Sequence, residues 1–312
     1  MTTGCAAPVG AAPVGVALAR RELSELAERL GMALPPEARP GADLLVRTQR
    51  GVVWPVRAPL VRAADGWVHP GPPTAWSPFV DLVTALGASW PDLDGLTVDV
   101  IDREAEAWML PAAAVRTTAA AADPVPALAG ASIAGATVVL FGTAWATPLL
   151  GRVLAGLGAQ VLKVEHPRRP DPFPLRDELV RGQVVLELDL GVPADRDAVA
   201  ELVEHADLVV EGHPPRVLAN AGLEPGGSVL RVGAFVESDR PGYGPGAEAH
   251  GGWAARHAPP RLARTSVADP VAGLVGAVTA VHLLTTSGRG THARVSLEGA
   301  VGRLLERERR GV

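Results

Sequence analysis

The chain has 312 residues, a net charge of −5 at pH 7 and 47% hydrophobic residues, which is typical of a globular protein with two domains. The acidic balance, without a basic stripe of interleaved aromatic residues, predicts that nucleic acid is not a partner. A single cysteine, Cys5, excludes an internal disulfide framework and is typical of the reducing cytoplasm. No apolar stretch approaches the roughly 20 residues that span a bilayer, so we expect no membrane partner.

The first half predicts a flexible N-terminus at residues 1–15, unlike a signal peptide, and then a small α+β domain over residues 16–120. Helical spacing of apolar residues predicts a helix over Val16–Leu30 that ends at Gly31. The Asp65-Gly66 turn is a hairpin signal. Further strands are predicted at Leu44–Thr48, Val52–Val56, Pro59–Arg62, Trp67–His69 and Leu96–Ile101, and further helices at Ser77–Leu86 and Arg103–Met109.

The second half predicts an α/β fold: a linker at residues 121–130, then a Rossmann-like domain with an open parallel sheet over residues 131–312. Continuous apolar runs are typical of strands that are covered on both faces. These strands are predicted at Ala136–Leu140, Ala159–Val164 and Leu208–Glu211, with helices at Pro148–Leu157 and Asp195–His205. Open parallel sheets bind ligands beyond the carboxyl ends of their strands. We therefore expect a nucleotide-like ligand at Phe141–Thr147, Glu165–Pro170 and Glu211–Pro215.

The turn after the first of these strands reads Gly142-Thr143-Ala144-Trp145-Ala146-Thr147. A dinucleotide-binding protein would carry G-x-G-x-x-G here, because those glycines let the backbone approach the diphosphate. The missing fingerprint predicts that NAD is not the ligand. A Rossmann-like scaffold by itself names no chemistry.

Four segments between Leu128 and Val301 carry distinctive motifs in a fixed order. They read AWATPLLGRVLAGLGAQVLKVEHP, VRGQVVLELDL, ADLVVEGHPPRVLANAGL and SVADPVAGLVGAVTAVHLLTTSGRGTHARVSLEGAV. Together they resemble the family III CoA-transferases, also called the CaiB/BaiF family. The corresponding family patterns are L-G-A-x-V-I-K-V-E-x-P, N-R-G-K-R-S-V-x-L-D-L, A-D-V-V-V-E-N-F-R-P-G and, after a Gly-rich hairpin, V-D-V-S-L. The α-methylacyl-CoA racemases share the same scaffold.

The resemblance implies an enzyme that moves CoA from an acyl-CoA to a small carboxylic acid, with Asp269 as the nucleophile. In the family, this aspartate forms a mixed anhydride and then an aspartyl-CoA thioester. The local sequence is compatible, because Asp269 precedes Pro270 and an apolar helical run, at a predicted N-cap. There the helix dipole favours the ionised carboxylate. Since Asp-Pro at a helix start is usually only a cap, the residues alone leave both roles open.

The resemblance also implies three CoA-binding loops, with coenzyme A as substrate, no metal, and a homodimer. The implied CoA-binding residues are Thr143, Ala144, Trp145, Ala146, His166, Arg181, Gly212, His213 and Pro214. The sequence departs from the family at Gln183 and Val184, which replace a lysine and an arginine. This loss should weaken phosphate binding unless Arg168, Arg169 or Arg216 compensates. Thr147 also replaces a glycine and narrows the approach to the ligand.

Family members continue well beyond the last motif, through a smaller domain. Asp65-Gly66-Trp67 and the helix after it resemble part of that domain, so we expect a shortened member in which the small domain comes first. Two alternatives stay open. A 2-methylacyl-CoA racemase would need a second base opposite Asp269; His250 lies near the family's racemase histidine, although we expect it to be exposed and idle. A catalytically silent CoA-ester-binding protein would explain the lost cations.

Overall fold

The computed structural model describes residues 14–29, 60–128, 130, 132–171, 173–213, 217–263 and 266–311. The strands predicted at Leu44–Thr48 and Val52–Val56 lie outside the described residues. Helix α1 (Val14–Arg29) agrees with the first predicted helix to within two residues. It packs against the last two helices of the chain, where Leu18 and Leu26 join the main core.

A three-stranded antiparallel sheet forms the core of the first half. Its strands are β1 (Val61–Arg62), β2 (Trp67–His69) and β3 (Ala113–Ala114), in that order across the sheet. The predicted hairpin is confirmed, because Val61 lies opposite Val68. Helices α2 (Trp76–Ala85) and α3 (Val98–Ala107) pack on this sheet around a separate apolar cluster.

The predicted strand Leu96–Ile101 is wrong, because most of this segment lies in helix α3. Its valines and isoleucine favour a strand by intrinsic propensity. Two side chains override that preference by capping the helix. Thr97 Oγ1 accepts a hydrogen bond from Val100 N at 3.4 Å, and Asp65 Oδ1 accepts one from Val98 N at 2.8 Å. Such caps satisfy amide groups that have no partner within the helix.

A six-stranded parallel sheet dominates the second half, which confirms the predicted α/β, Rossmann-like fold class. Its strands are β4 (Thr137–Phe141), β5 (Gln160–Glu165), β6 (Val184–Glu187), β7 (Leu208–Glu211), β8 (Ser228–Gly233) and β9 (His292–Ser296). The order across the sheet is β6-β5-β4-β7-β8-β9. This is the doubly wound order. Along the chain, β4 and β7 are the first and fourth strands of this sheet; they lie side by side in its middle, and the later strands add outward from them in opposite directions.

Helices cover both faces of this sheet. They are α4 (Ala146–Gly156), α5 (Arg176–Leu179), α6 (Pro193–His205), α7 (Val217–Asn220), α8 (Gly244–His250), α9 (Ala268–Thr285) and α10 (Leu297–Arg310). The helices predicted over Pro148–Leu157 and Asp195–His205 are confirmed to within two residues. The predicted boundaries of the linker and the two domains stay predictions. Within the predicted linker, the Asp123 carboxylate accepts a hydrogen bond from Ser296 N at 2.6 Å, so this point packs on the end of β9.

Helix α9 is apolar around its whole circumference because it lies in the core. By length and composition, it is also apolar enough to cross a membrane, a feature that the sequence analysis overlooked. In the structure, 78% of the helix is buried inside the protein, as expected for a core helix. It crosses α4 closely, and its first turn points to the carboxyl ends of the strands.

Two glycines of α9 give a matched test of this crossing. A Cβ atom on Gly273 would lie 2.8 Å from the carbonyl oxygen of Ala146, whereas one on Gly276 would meet only the tip of Leu150, at 2.6 Å. Alanine in place of either glycine gains about 1 kcal/mol of helix propensity. We expect Gly273→Ala to lower the free energy of unfolding by about 1–3 kcal/mol, because backbone cannot rotate away, and Gly276→Ala to be close to neutral. Urea unfolding followed by circular dichroism measures both; equal effects would contradict the close helix crossing.

Candidate active site

A cavity of about 930 Å³ opens at the carboxyl ends of β4 and β7, where the winding of the sheet reverses. This is the position at which open α/β sheets bind their ligands, and the volume suits a small-molecule site. Seven of the residues named from the sequence line it together: Thr143, Ala144, Ala146, His166, Gly212, His213 and Asp269. The three strand-end loops and the candidate nucleophile therefore share one cavity.

The remaining three named residues lie elsewhere. Trp145 is buried behind the cavity wall, where its ring packs on Phe173 with 5.5 Å between the ring centroids. Arg181 is exposed on the turn before β6 and is not among the described residues that line the cavity. Pro214 lies outside the described residues. The CoA contacts proposed for these three residues stay predictions.

The loop after β4 has a strained backbone conformation, and a hydrogen bond to a neighbouring carboxylate stabilises it. Ala144 has a φ of +66°, a left-handed conformation that is costly for residues other than glycine. Asp171 Oδ2 accepts a hydrogen bond from Ala144 N at 2.9 Å, and its Oδ1 accepts one from Phe173 N at 3.0 Å. Asp171 is not predicted from the sequence, because a single aspartate in a proline-rich loop forms no recognisable motif.

Asp269 lies in the first turn of α9, half-buried, and lines the cavity. The predicted N-cap position is wrong, because Val267 is the N-cap and Asp269 is the second helical residue. Ser266 Oγ accepts a hydrogen bond from Asp269 N at 3.4 Å and takes over part of the capping role. Burial raises the pKa of Asp269 to about 6, so desolvation outweighs the stabilisation expected from the helix dipole.

The start of helix α8 packs closely against the carboxyl group of Asp269. A methyl group at Gly244 would overlap both Asp269 Oδ2 and Ser266 Oγ. The next residue towards the N-terminus, Tyr243, lines the cavity and is exposed. The side chain of Asp269 is thus confined between two helix starts, and it faces the open space of the cavity.

Among the described residues, five arginines line the cavity, and three of these form ion pairs. Arg231 pairs with Glu211 at 2.9 Å, Arg294 with Asp239 at 2.7 Å, and Arg240 with Asp102 at 2.8 Å. The other two, Arg169 and Arg196, are exposed at the cavity, and the part of the chain that the structure describes shows no ion pair for either one.

The arginines of the cavity are candidates to replace the two family cations that are lost at Gln183 and Val184. Gln183, which replaces the lysine, donates hydrogen bonds to the carbonyl oxygens of Pro148 and Leu179, so its amide serves the fold. Of the three arginines considered as replacements, Arg169 lines the cavity. Arg168 pairs with Asp189 at 2.7 Å, and Arg216 lies outside the described residues.

His250 is not exposed and idle, so that expectation is wrong. Its Nδ1 lies 2.6 Å from Glu298 Oε1, and its Nε2 lies 3.2 Å from Asp102 Oδ2. Burial alone would lower its pKa, but hydrogen bonds to the two carboxylates prevail and raise the pKa of His250 to about 9. Both ring nitrogens are engaged, and His250 is not among the described residues that line the cavity. Among the described residues, no group of three or more His, Cys, Asp or Glu is placed to hold a metal ion.

Comparison with known proteins gives a family match in the second half of the chain, together with several relatives. The sequence model of "CoA-transferase family III" matches residues 133–227. The succinyl-CoA–D-citramalate CoA-transferase of Chloroflexus aurantiacus is 30% identical over 203 residues, covering 54% of this chain and 50% of that protein. The formyl-CoA:oxalate CoA-transferase of Rhodopseudomonas palustris is 28% identical over 185 residues, covering 49% and 43%. The chain spans about half the length of the curated relatives it matches.

A solved structure agrees at the level of the fold. The crystal structure of a hypothetical protein from Mycobacterium tuberculosis is 24% identical, with a TM-score of 0.50, and the match covers 58% of this chain and 59% of that one. The family match covers the first three of the four motifs found in the sequence; the fourth, which contains Asp269, lies beyond residue 227. The chain is therefore related to CoA-transferase family III through its parallel-sheet half.

Proposed function

We propose that this protein transfers CoA from an acyl-CoA thioester to a small carboxylic acid, with Asp269 as the nucleophile. The main support is the position of the Asp269 carboxyl group, half-buried in the same cavity as the three strand-end loops. With a pKa of about 6, this group is mostly ionised at pH 7 and more basic than an ordinary carboxylate. The names of the relatives, which are CoA-transferases, support the same reaction class.

The chemistry needs only carboxylates and the thioester. Asp269 attacks the thioester carbonyl, the C–S bond breaks, and CoA leaves as the thiolate, which produces an aspartyl anhydride. The thiolate then attacks the aspartyl carbonyl and expels the donor's acid as a carboxylate, so that Asp269 carries CoA. The acceptor carboxylate displaces CoA to form a second anhydride, and the thiolate takes the acceptor's acyl group and releases Asp269. Covalent catalysis thus divides one difficult exchange into easier steps, without a net proton transfer.

The cavity has the chemical groups that an acyl-CoA requires. Arg169 and Arg196 supply positive charge at its rim, where the phosphate groups would bind. His213 lines the cavity beside Phe141, with 5.6 Å between their ring centroids, and offers it an aromatic ring. The residues present therefore fit CoA as a substrate. The expected homodimer and the cytoplasmic location are part of this proposal and rest on the family resemblance and on composition.

The structure adds no specific observation in favour of either alternative. A racemase needs a second base in the cavity, and His250, considered for that role, is held outside it by Asp102 and Glu298. A silent CoA-ester-binding protein is an outcome of the experiments below.

The first experiment traps the covalent intermediate. We expect the wild-type protein, incubated with a panel of acyl-CoA donors, to carry a CoA adduct on Asp269 that mass spectrometry locates and hydroxylamine removes. Asp269→Ala and Asp269→Asn should form no adduct and lose at least about a thousandfold in transfer rate, because the nucleophile is missing. Asp177→Asn, at an exposed acid, is the control. Full transfer by Asp269→Ala contradicts the proposal, and acyl-CoA binding by the wild type without any adduct supports the silent binding protein.

The second experiment uses pH. Because the nucleophile is the ionised form, adduct formation should decline as the pH falls through about 6, the pKa of Asp269.

The raised pKa of Asp269 also affects the stability of the protein. The folded-state pKa is raised, so the folded protein binds this proton more tightly, and stability from this group is lost as the pH rises from about 4 through 6. Asp269→Asn should therefore raise the melting temperature at about pH 7.5 more than at about pH 4.5. A pH-independent difference would contradict the burial of the charge.

The third experiment tests the rim arginines. Arg169→Ala and Arg196→Ala should each weaken CoA binding about tenfold, because each removes a charge-assisted hydrogen bond to phosphate. The loss should shrink at high salt. Arg309→Ala, at an exposed position of the last helix, is the matched control. Arg181→Ala tests the CoA contact that the family resemblance implies. A loss of affinity as large as that of Arg169→Ala would support this contact. Isothermal titration calorimetry with CoA measures all four.

A further inference from the structure

Glu248 is a fully buried carboxyl group that the proposed reaction does not use. It lies in helix α8, and its side chain has no exposure to solvent. Among the described residues, no lysine, arginine or histidine forms an ion pair with it. A buried carboxylate without a cation is costly unless hydrogen bonds satisfy it. The partners of Glu248 therefore indicate what it does.

These partners belong to the segment that leads into helix α9: two backbone amides and the hydroxyl group of Ser266. Val267 N donates to Glu248 Oε1 at 2.8 Å, and Ala263 N donates to Oε2 at 3.2 Å. Val267 is the N-cap residue of α9, and Asp269 follows two positions later. Glu248 thus fixes the backbone from which the Asp269 side chain projects, and it does so from a neighbouring helix.

The same face of α8 also touches Asp269 directly. Gly244 lies one helical turn before Glu248, and its backbone lies too close to Asp269 Oδ2 to leave room for a methyl group. Burial, with a smaller contribution from the charge of Asp269, raises the pKa of Glu248 to about 7. Glu248 and Asp269 are therefore linked both through the backbone and through their charges.

Building on the proposed function, we propose that Glu248 is a positioning residue that holds the start of α9 so that the Asp269 carboxylate faces the thioester. It lines no part of the cavity and acts only through Asp269. A displacement of a reacting group by about 1 Å can reduce the rate about a hundredfold. Loss of the Glu248 carboxylate should therefore slow the chemical step and leave substrate binding unchanged.

The test compares Glu248→Gln and Glu248→Ala with Glu22→Gln. Glu22 is equally buried, but it pairs with Arg303 and Arg307, away from the cavity. The amide of Glu248→Gln keeps the shape but can accept only one of the two hydrogen bonds. We expect adduct formation at Asp269 in a single turnover to slow about tenfold for Gln and about a hundredfold for Ala, with acyl-CoA affinity within about twofold of the wild type. Glu22→Gln should lower the melting temperature and leave the rate unchanged.

A second readout does not depend on catalysis. The carboxyl carbon of Glu248, identified by its loss in Glu248→Gln, can be titrated by NMR in the wild type and in Asp269→Asn. Removing the negative charge of Asp269 should lower the titration midpoint of Glu248. The other titratable groups in α8 or against it are His250, with its partners Glu298 and Asp102, and His69 near Gly246; all stay the same in both proteins.

The outcomes separate the two proposals. If the wild type forms no adduct, the proposed function fails, and the titration alone decides the role of Glu248: a lowered midpoint supports it and an unchanged midpoint overturns it. If adducts form, a wild-type rate in Glu248→Gln overturns the positioning role, whatever the change in melting temperature. Weaker acyl-CoA binding with an unchanged rate of the chemical step overturns it as well.

Discussion

The burial of helix α9 is the constraint on which the site depends. The helix packs against α4, β8, α1 and α10, and nearly every side chain along it is removed from water. A helix buried on all sides cannot slide or rotate without opening gaps in a densely packed interior. Its first turn is consequently fixed at the switch point of the sheet, and the position of Asp269 follows from the packing of residues that have no role in the chemistry.

The electrostatics of the site follow from the same burial. The structure brings two carboxyl groups, Asp269 and Glu248, to the start of one helix. Their hydrogen-bond donors carry no formal charge: backbone amides for both groups, and for Asp269 also the Ser266 hydroxyl. A lysine or arginine at this point would hold Asp269 ionised and weakly basic. Without one, the carboxyl group keeps a high affinity for protons and for electrophiles, which suits the nucleophile of the proposed reaction.

The sheet and the position of the cavity could be predicted from the sequence because their signals are local. Continuous apolar runs mark β4 and β7, and the loops after them mark the ligand site. Three of the failures share one physical cause, which is that the deciding partner is distant in the chain. The segment at residue 98 becomes a helix because Asp65 caps it, and His250 is charged because Asp102 and Glu298 hold it. The role of Asp171 is equally invisible without the fold, since it depends on the conformation of Ala144.

The ion pair between Arg240 and Asp102 has a consequence for how the two halves of the chain work together. Arg240 stands in the cavity wall, yet its guanidinium group is anchored on helix α3. No described residue of the small antiparallel unit lines the cavity, so that unit would not be noticed in an inventory of ligand contacts. It nevertheless supports one wall of the cavity through the ion pair between Arg240 and Asp102. A ligand that displaces this wall must also displace α3, so the rigidity of the small antiparallel unit limits how far the cavity can widen.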